Sequence, residues 1–300
     1  MKIGIPRSIY YYYYYPKWKY FFKYLEIDTI VSPDTNKEII ELGSQLANDE
    51  MCLSLKIFLG HVAYLQDKCD YILIPRIDNY GLNDQTCTNF LSTYDIANNL
   101  LNIKILNYNI DIYNNQTEKK AFLKLGKQLG KKRKNIIKAY EKAGELVFIE
   151  KLEKIKINEK KLESKKHKIL IVGHPYNIYD SYVGKPIMEL LKNYEVEVIY
   201  CDLFLNNITN KKSKLLSKEL YFKFNKEIIG AIPLCENKID GIIFITTFPC
   251  GPDSLVNELV IRKITLPYLN LIVDDVDSQT GIETRIESFL DIVLERNKNE

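Results

Sequence analysis

Six cysteines, Cys52, Cys69, Cys87, Cys201, Cys235 and Cys250, are the residues of this chain with the widest chemical range. As thiolates they ligate soft metals and iron–sulfur clusters, or act as nucleophiles where the surroundings lower their pKa. No two stand as Cys-x-x-Cys, so zinc-knuckle and bacterial ferredoxin spacings are absent. A metal shared by these cysteines would draw its ligands from distant parts of the chain. Neither a phosphate-binding GxxxxGK[ST] loop nor a GxGxxG turn after a strand occurs.

The elements that must position these thiols alternate in kind. Short β-branched runs (KIGIP 2–6, DTIVS 28–32, DYILIP 70–75, IKILNYN 103–109) are separated by segments with helical spacing at about 16–25, 36–46, 52–66 and 90–100. Asn36 is placed to cap the second of these helices. Residues 117–150 read as helical and lysine-rich, and 151–166, dense in lysine and glutamate, reads as a solvated helix or linker. The scheme then restarts. Strands are predicted at 167–173, 196–201, 240–246 and 268–274, and helices at 181–192, 211–229, 252–264 and 281–295. KIGIP echoes KILIVGHP, and CDYILIPR echoes IDGIIFITTFPC. The expectation is an α/β protein of two Rossmann-like domains with parallel sheets and a site in the crevice between them. The boundaries read as 1–115, a helical linker at 116–166, and 167–300.

In open α/β sheets ligands lie beyond the carboxyl ends of the strands. Cys250, in FPCGPD, follows a strand and precedes a helix; Cys87 lies in the loop after strand 70–75; Cys52 opens a helix. A helix N-terminus favours a thiolate, and Gly251 lets the backbone come close to a sulfur. Cys69 and Cys235 precede strands and read as packing, and Cys201 as ordinary core. His174 follows strand 167–173 and is either a general acid or hydrogen-bond donor or, with Asp180, a turn stabiliser. Arg7 and Arg76 end equivalent strands of the first half. They suit an anionic group such as a thioester's phosphates, or a carboxylate such as Asp78 or Glu50. Lys56 complements charge one turn after Cys52, and His61 reads as core. The tyrosine run 10–15 reads as structural at a helix entrance, and Arg285 and Glu287 as capping or bridging residues.

With 42 basic and 39 acidic residues the net charge is +3, which points to neither nucleic acid nor an anionic membrane. No apolar run reaches the roughly 18–20 residues of a membrane span. The opening MKIGIP reads as a strand and not as a signal peptide, so a cytoplasmic location is expected.

Several segments, KIGIPRSIYYYYYYPKWKYFF, DEMCLSLKIFLGHVAYL, DYILIPRI, GHPYNIYD, FPCGPDSL and TGIETRIESFLD, resemble, in order, the activase-related proteins of the 2-hydroxyacyl-CoA dehydratase family, relatives of double-cubane cluster proteins. The resemblance implies an iron–sulfur protein of anaerobic metabolism. Its cluster would be held by Cys52, Cys87 and Cys250; the lack of a second set of convergent cysteines favours 4Fe-4S over double-cubane, and His174, Arg7 and Arg76 at their strand ends would shape the pocket. It implies electrons received from a separate ATP-hydrolysing activase of the actin/Hsp70 fold and passed to an acyl-CoA or small-molecule substrate at an open iron, in a homo- or heterodimer. At Cys87 this chain has Cys-Thr-Asn where the family shows Cys-Pro-Lys. A non-catalytic accessory subunit docking on a dehydratase or activase is the rival reading. A structural zinc protein, with His174 or Cys201 as fourth ligand, is a third.

Overall fold

The structure is a computed structural model that describes residues 1–275 and 279–296. The chain divides into two compact units, Met1–Glu150 and Lys151–Glu300.

The first unit runs β1 (Lys2–Ile5), α1 (Tyr11–Tyr24), β2 (Asp28–Val31), α2 (Lys37–Leu46), α3 (Leu53–Leu65), β3 (Tyr71–Leu73), β4 (Arg76–Asn79), α4 (Thr88–Leu91), α5 (Thr93–Leu100), β5 (Ile105–Leu106), β6 (Asn109–Asp111) and α6 (Glu118–Gln128). Helix α7 (Arg133–Leu162) carries the chain across the boundary between the units. The second unit continues with β7 (His167–Gly173), α8 (Pro175–Ile178), α9 (Lys185–Lys192), β8 (Val196–Tyr200), α10 (Asn206–Leu216), α11 (Lys223–Ile229), α12 (Ile232–Cys235), β9 (Gly241–Thr247), α13 (Gly251–Ile261), β10 (Tyr268–Val273) and α14 (Gln279–Arg296).

Each unit holds a four-stranded parallel sheet, ordered β2-β1-β3-β5 in the first and β10-β9-β7-β8 in the second. The winding is the same in both. The first strand is central, the second lies on one side of it and the third on the other. The topological switch point therefore falls between β1 and β3 in one unit and between β7 and β9 in the other, and the carboxyl ends of those strands are where such sheets take ligands. The two-domain α/β reading of the sequence holds at the level of each unit.

Strand β9, all seven residues buried and apolar up to Thr246 and Thr247, is the kind of strand expected where helices cover both faces. Gly241 faces Phe289 and Val293 of α14, and Thr246, of opposite parity, faces α13. In the first unit the core is aromatic. Trp18, Phe21, Phe22, Tyr108 and Phe122 are all buried, and Trp18 Nε1 donates to the Tyr108 hydroxyl at 2.9 Å. Helices α2 and α3 pack backbone to backbone, because a Cβ on Gly43 would lie 1.9 Å from the Lys56 carbonyl oxygen.

Several elements depart from their predicted bounds. Helix α1 begins at Tyr11, so the tyrosine run is helical and Pro16 lies inside the helix. Burial of Tyr14, Trp18, Phe21 and Phe22 on one face outweighs the hydrogen bond that proline removes. The stretch read as a loop after strand 70–75 holds β4 and leads into α4 at Thr88, and β4 pairs with β6 in a two-stranded parallel ribbon. The helix predicted at 181–192 is α9, which begins at Lys185, and the one predicted at 211–229 is two helices, α10 and α11.

Candidate functional site

The six cysteines fall into two groups of three. Cys52, Cys87 and Cys250 are the N-cap residues of α3, α4 and α13. Their carbonyls accept the first helical hydrogen bonds: Leu55 N–H to Cys52 at 2.8 Å, Phe90 N–H to Cys87 at 3.0 Å, and Ser254 N–H to Cys250 at 3.1 Å. None of the three sulfurs caps its helix. Cys52 and Cys250 therefore lie at the positive ends of helices of 13 and 11 residues, a setting that favours a thiolate, whereas α4 is a single turn of four residues. Gly251 heads α13, and the space that a Cβ there would fill is open within 4 Å.

The other three donate S–H to a backbone carbonyl at 3.3 Å: Cys69 to Leu65, Cys201 to Gly173, Cys235 to Ala231. Burial pushes all three thiols up, Cys235 to about 12. They pack as small hydrophobes, as their positions in the sequence suggest.

At the switch point of the second unit, His174 follows β7 and Asp253 is the third residue of α13. His174 Nε2 lies 3.0 Å from Asp253 Oδ1. Asn225 Nδ2 donates to the same oxygen at 2.8 Å, and Thr246 Oγ1 donates to Oδ2 at 3.2 Å. The Cys250 side chain also hydrogen-bonds to this carboxylate. Burial by itself would raise the Asp253 pKa. The His174 ring beside it and the bonds from His174, Asn225 and Cys250 override that and hold it below the usual carboxylate range. His174 is 4% exposed, stacked on Tyr176 with ring centroids 4.8 Å apart and edge-on to Phe224. It thus reaches Cys250 through Asp253. The sequence offered Asp180 as its companion; Asp180 instead accepts from the backbone N–H groups of Tyr182 and Val183. Asp253 and Asn225 were not singled out. The only sequence signal was an aspartate three residues after Cys250 in FPCGPDSL.

The switch point of the first unit is built differently. Arg7, just past β1, donates its backbone N–H to Ser32 Oγ at 2.9 Å, and its guanidinium pairs with Asp34 and lies over the Tyr11 ring. Arg76 opens β4, pairs with Asp95 and lies over Tyr94. The partners are therefore neither Asp78 nor Glu50. Strand β2 lies beside β1, which brings the β2–α2 loop and Asp34 to Arg7. Behind the arginines, Tyr10 bonds the Ile77 carbonyl and the Tyr14 and Tyr80 hydroxyls meet at 2.7 Å. Burial raises the Tyr14 and Tyr80 pKa well above the ordinary value, so these phenols stay protonated. Tyr10 also lies close enough to Cys87 for the two to interact electrostatically. His61 is fully buried, its Nε2 3.0 Å from Thr35 Oγ1, and burial, with Arg7 nearby, lowers its pKa to about 3. It is a neutral core imidazole. Arg285 bonds the Asn270 carbonyl, and Glu287 accepts from the Tyr194 hydroxyl at 3.2 Å.

Among the described residues no three His, Cys, Asp or Glu side chains are gathered as a metal site, and no helix is long and apolar enough to cross a membrane.

The sequence model of the family described as "CoA enzyme activase uncharacterised domain" matches residues 2–204. No curated protein matches the chain. Among solved structures, the SBP FpvC in complex with Ni2+ from P. aeruginosa is similar at 9% identity and TM-score 0.30, covering 100% of this chain and 98% of its own. A putative Asp/Glu racemase from Yersinia pestis is similar at 13% identity and TM-score 0.24, covering 98% and 99%. At these scores neither likeness bears on fold or function.

Proposed function

This chain belongs to the family of the CoA enzyme activase uncharacterised domain, and from that premise we propose that it is an iron–sulfur partner of an ATP-dependent activase in a CoA-ester system. The observation that carries this reading is the division of the cysteines. The three that the dehydratase resemblance marks as ligands are all helix N-caps, and the other three are all tied to backbone carbonyls.

When bound, a cluster would supply one-electron chemistry at low potential. Cys52, Cys87 and Cys250 would hold it as thiolates. Cys52 and Cys87 belong to the first unit and Cys250 to the second, so such a cluster would draw its ligands from both. Asp253 acts as a positioning residue. In the cluster-free chain it accepts the Cys250 S–H together with bonds from His174, Asn225 and Thr246, and ligation of Cys250 as a thiolate would release that S–H proton and leave Asp253 on the other three. Arg7 and Arg76, each now on a solvent-exposed carboxylate, would exchange Asp34 or Asp95 for the anionic part of an acyl-CoA.

The closed state of the His174–Asp253 network, which presents no open acid or base, favours the rival reading of an accessory subunit without its own turnover. One experiment separates the two. The protein is purified without oxygen, and iron, sulfide and zinc are measured for the wild type and for Cys52→Ala, Cys87→Ala, Cys250→Ala and Cys69→Ala. The redox reading expects iron and sulfide in the wild type and in Cys69→Ala, and their loss in the other three. A folded wild type without iron leaves the accessory role, and zinc in place of iron refutes both.

A further inference from the structure

Residues 119–140 contain nine Lys and Arg and no Asp or Glu, in a chain whose other residues carry a net negative charge. They form the α6–α7 hairpin, and eight of the nine basic side chains are exposed. Only two have a bonded partner among the described residues: Lys119 pairs with Glu141 at 3.1 Å, and Lys120 donates to the Asn115 carbonyl. The connection is tight. Gly130, at φ +70°, closes α6 with two hydrogen bonds, Gly130 N–H to Lys127 and Lys131 N–H to Gly126, both 3.0 Å. A Cβ on Gly126 would come within 2.6 Å of Ile136, so the two helices meet closely there. The charges are thus presented on a rigid platform.

Their placement runs against the protein's own stability. Lys131, Lys132, Arg133 and Lys134 surround the N-terminus of α7, whose first turn has no acidic residue. Cations at the positive end of a 30-residue helix are disfavoured by its dipole. The lysines of 151–166, seven against three glutamates, lie instead along the C-terminal part of α7 and just past it, where the helix dipole favours cations. An unopposed cluster at a helix N-terminus is relieved when something negative docks on it.

We propose that the α6–α7 hairpin is a docking surface for an acidic face of another protein. No large apolar side chain from 118 to 147 is exposed, so nothing here would insert into a bilayer. No exposed aromatic residue stands among the charges to stack on bases, and eight of the nine are lysine, a point charge without the arginine fork that reads phosphates. What remains is long-range attraction and steering, the chemistry of a salt-sensitive, transient protein complex. Naming that partner as the activase rests on the function proposed above; the surface itself does not.

The test uses the full chain and a labelled oligoglutamate, with a mixed-sequence DNA duplex and phosphatidylserine vesicles as competing probes. Two charge reversals are compared: K131E/K132E/R133E/K134E, and K154E/K156E/K160E/K165E as the control. The first cannot fail by losing α7, because acids at a helix N-terminus favour the helix. Oligoglutamate binding should fall ~10-fold or more in the hairpin variant, stay within about 2-fold in the control, and weaken with added salt. Equal losses in both variants would mean that only net charge matters and would overturn the proposal. So would a hairpin-dependent preference for the duplex or the vesicles. The measurement needs no iron, so hairpin-dependent binding would stand even if the iron and sulfide measurement had already removed the redox reading, and its failure would leave that reading untouched.

Discussion

The two sheets share one winding order but treat their switch points in opposite ways. In the second unit a single buried carboxylate, Asp253, gathers His174, Asn225, Thr246 and Cys250 around it. In the first, Arg7 and Arg76 pair with carboxylates at the surface, while the interior is filled by tyrosines, Trp18 and a neutral His61. A fold thus fixes where a site can lie without fixing whether that place is polar and closed or aromatic with charge at its rim. The second unit's arrangement hangs on one shared carboxylate. That of the first unit spreads its stability over packing.

The largest expected difference comes from removing the carboxylates. Asp253→Ala leaves buried donors without an acceptor and should cost ~3–5 kcal/mol. Arg76→Ala, which breaks an ion pair whose aspartate is 55% exposed, should cost under about 1 kcal/mol. Urea unfolding of both variants checks this, and equal losses would end the contrast.

Acid should separate the units next. The folded His61 pKa is about 3 against an ordinary 6.5, so the unfolded chain takes up the proton first. The contribution of neutral His61 is complete above pH 6.5 and is lost as pH falls toward 3, ~2 kcal/mol of it between pH 7 and pH 5. Asp253, lowered, keeps its contribution until pH drops below the ordinary carboxylate pKa, so it is silent in that window. Hydrogen exchange at pH 7 and pH 5 should show protection falling in β1 and α3 before β7 and β9, and His61→Leu should abolish the difference. Uniform loss across both sheets would contradict the assignment.

The smallest effect sharpens the picture of the network. Thr246→Val removes one donor of several while keeping the side chain's shape, and should cost only about 1 kcal/mol. A loss as large as that of Asp253→Ala, in the same unfolding assay, would show that the network fails as a unit.

Much of the fold was legible because its signals are local. The β-branched runs of β1, β7, β9 and β10, the Asn36 cap of α2 and the packing roles of Cys69, Cys201 and Cys235 all followed from neighbouring residues. Helix α1 was misjudged at its start because tyrosine and proline are weak helix formers, and only burial against Phe122 and Tyr108 shows why the helix holds. The short strands β4 and β6 were lost because each contributes too few residues to display a period.

The candidate site divides along the same line. The sequence alone determined which thiols follow strands or open helices, because strand and helix boundaries are written in residues a few positions apart. It also determined the run of unopposed basic residues at 119–140. Tertiary structure decided what those groups face. His174 and Asp253 are 79 positions apart, and Arg7 and Asp34 are 27 apart. Each pair meets only because parallel crossovers place β9 beside β7 and β2 beside β1. Strand order is set by the summed burial of whole helices and strands, a collective quantity that no short window of sequence contains.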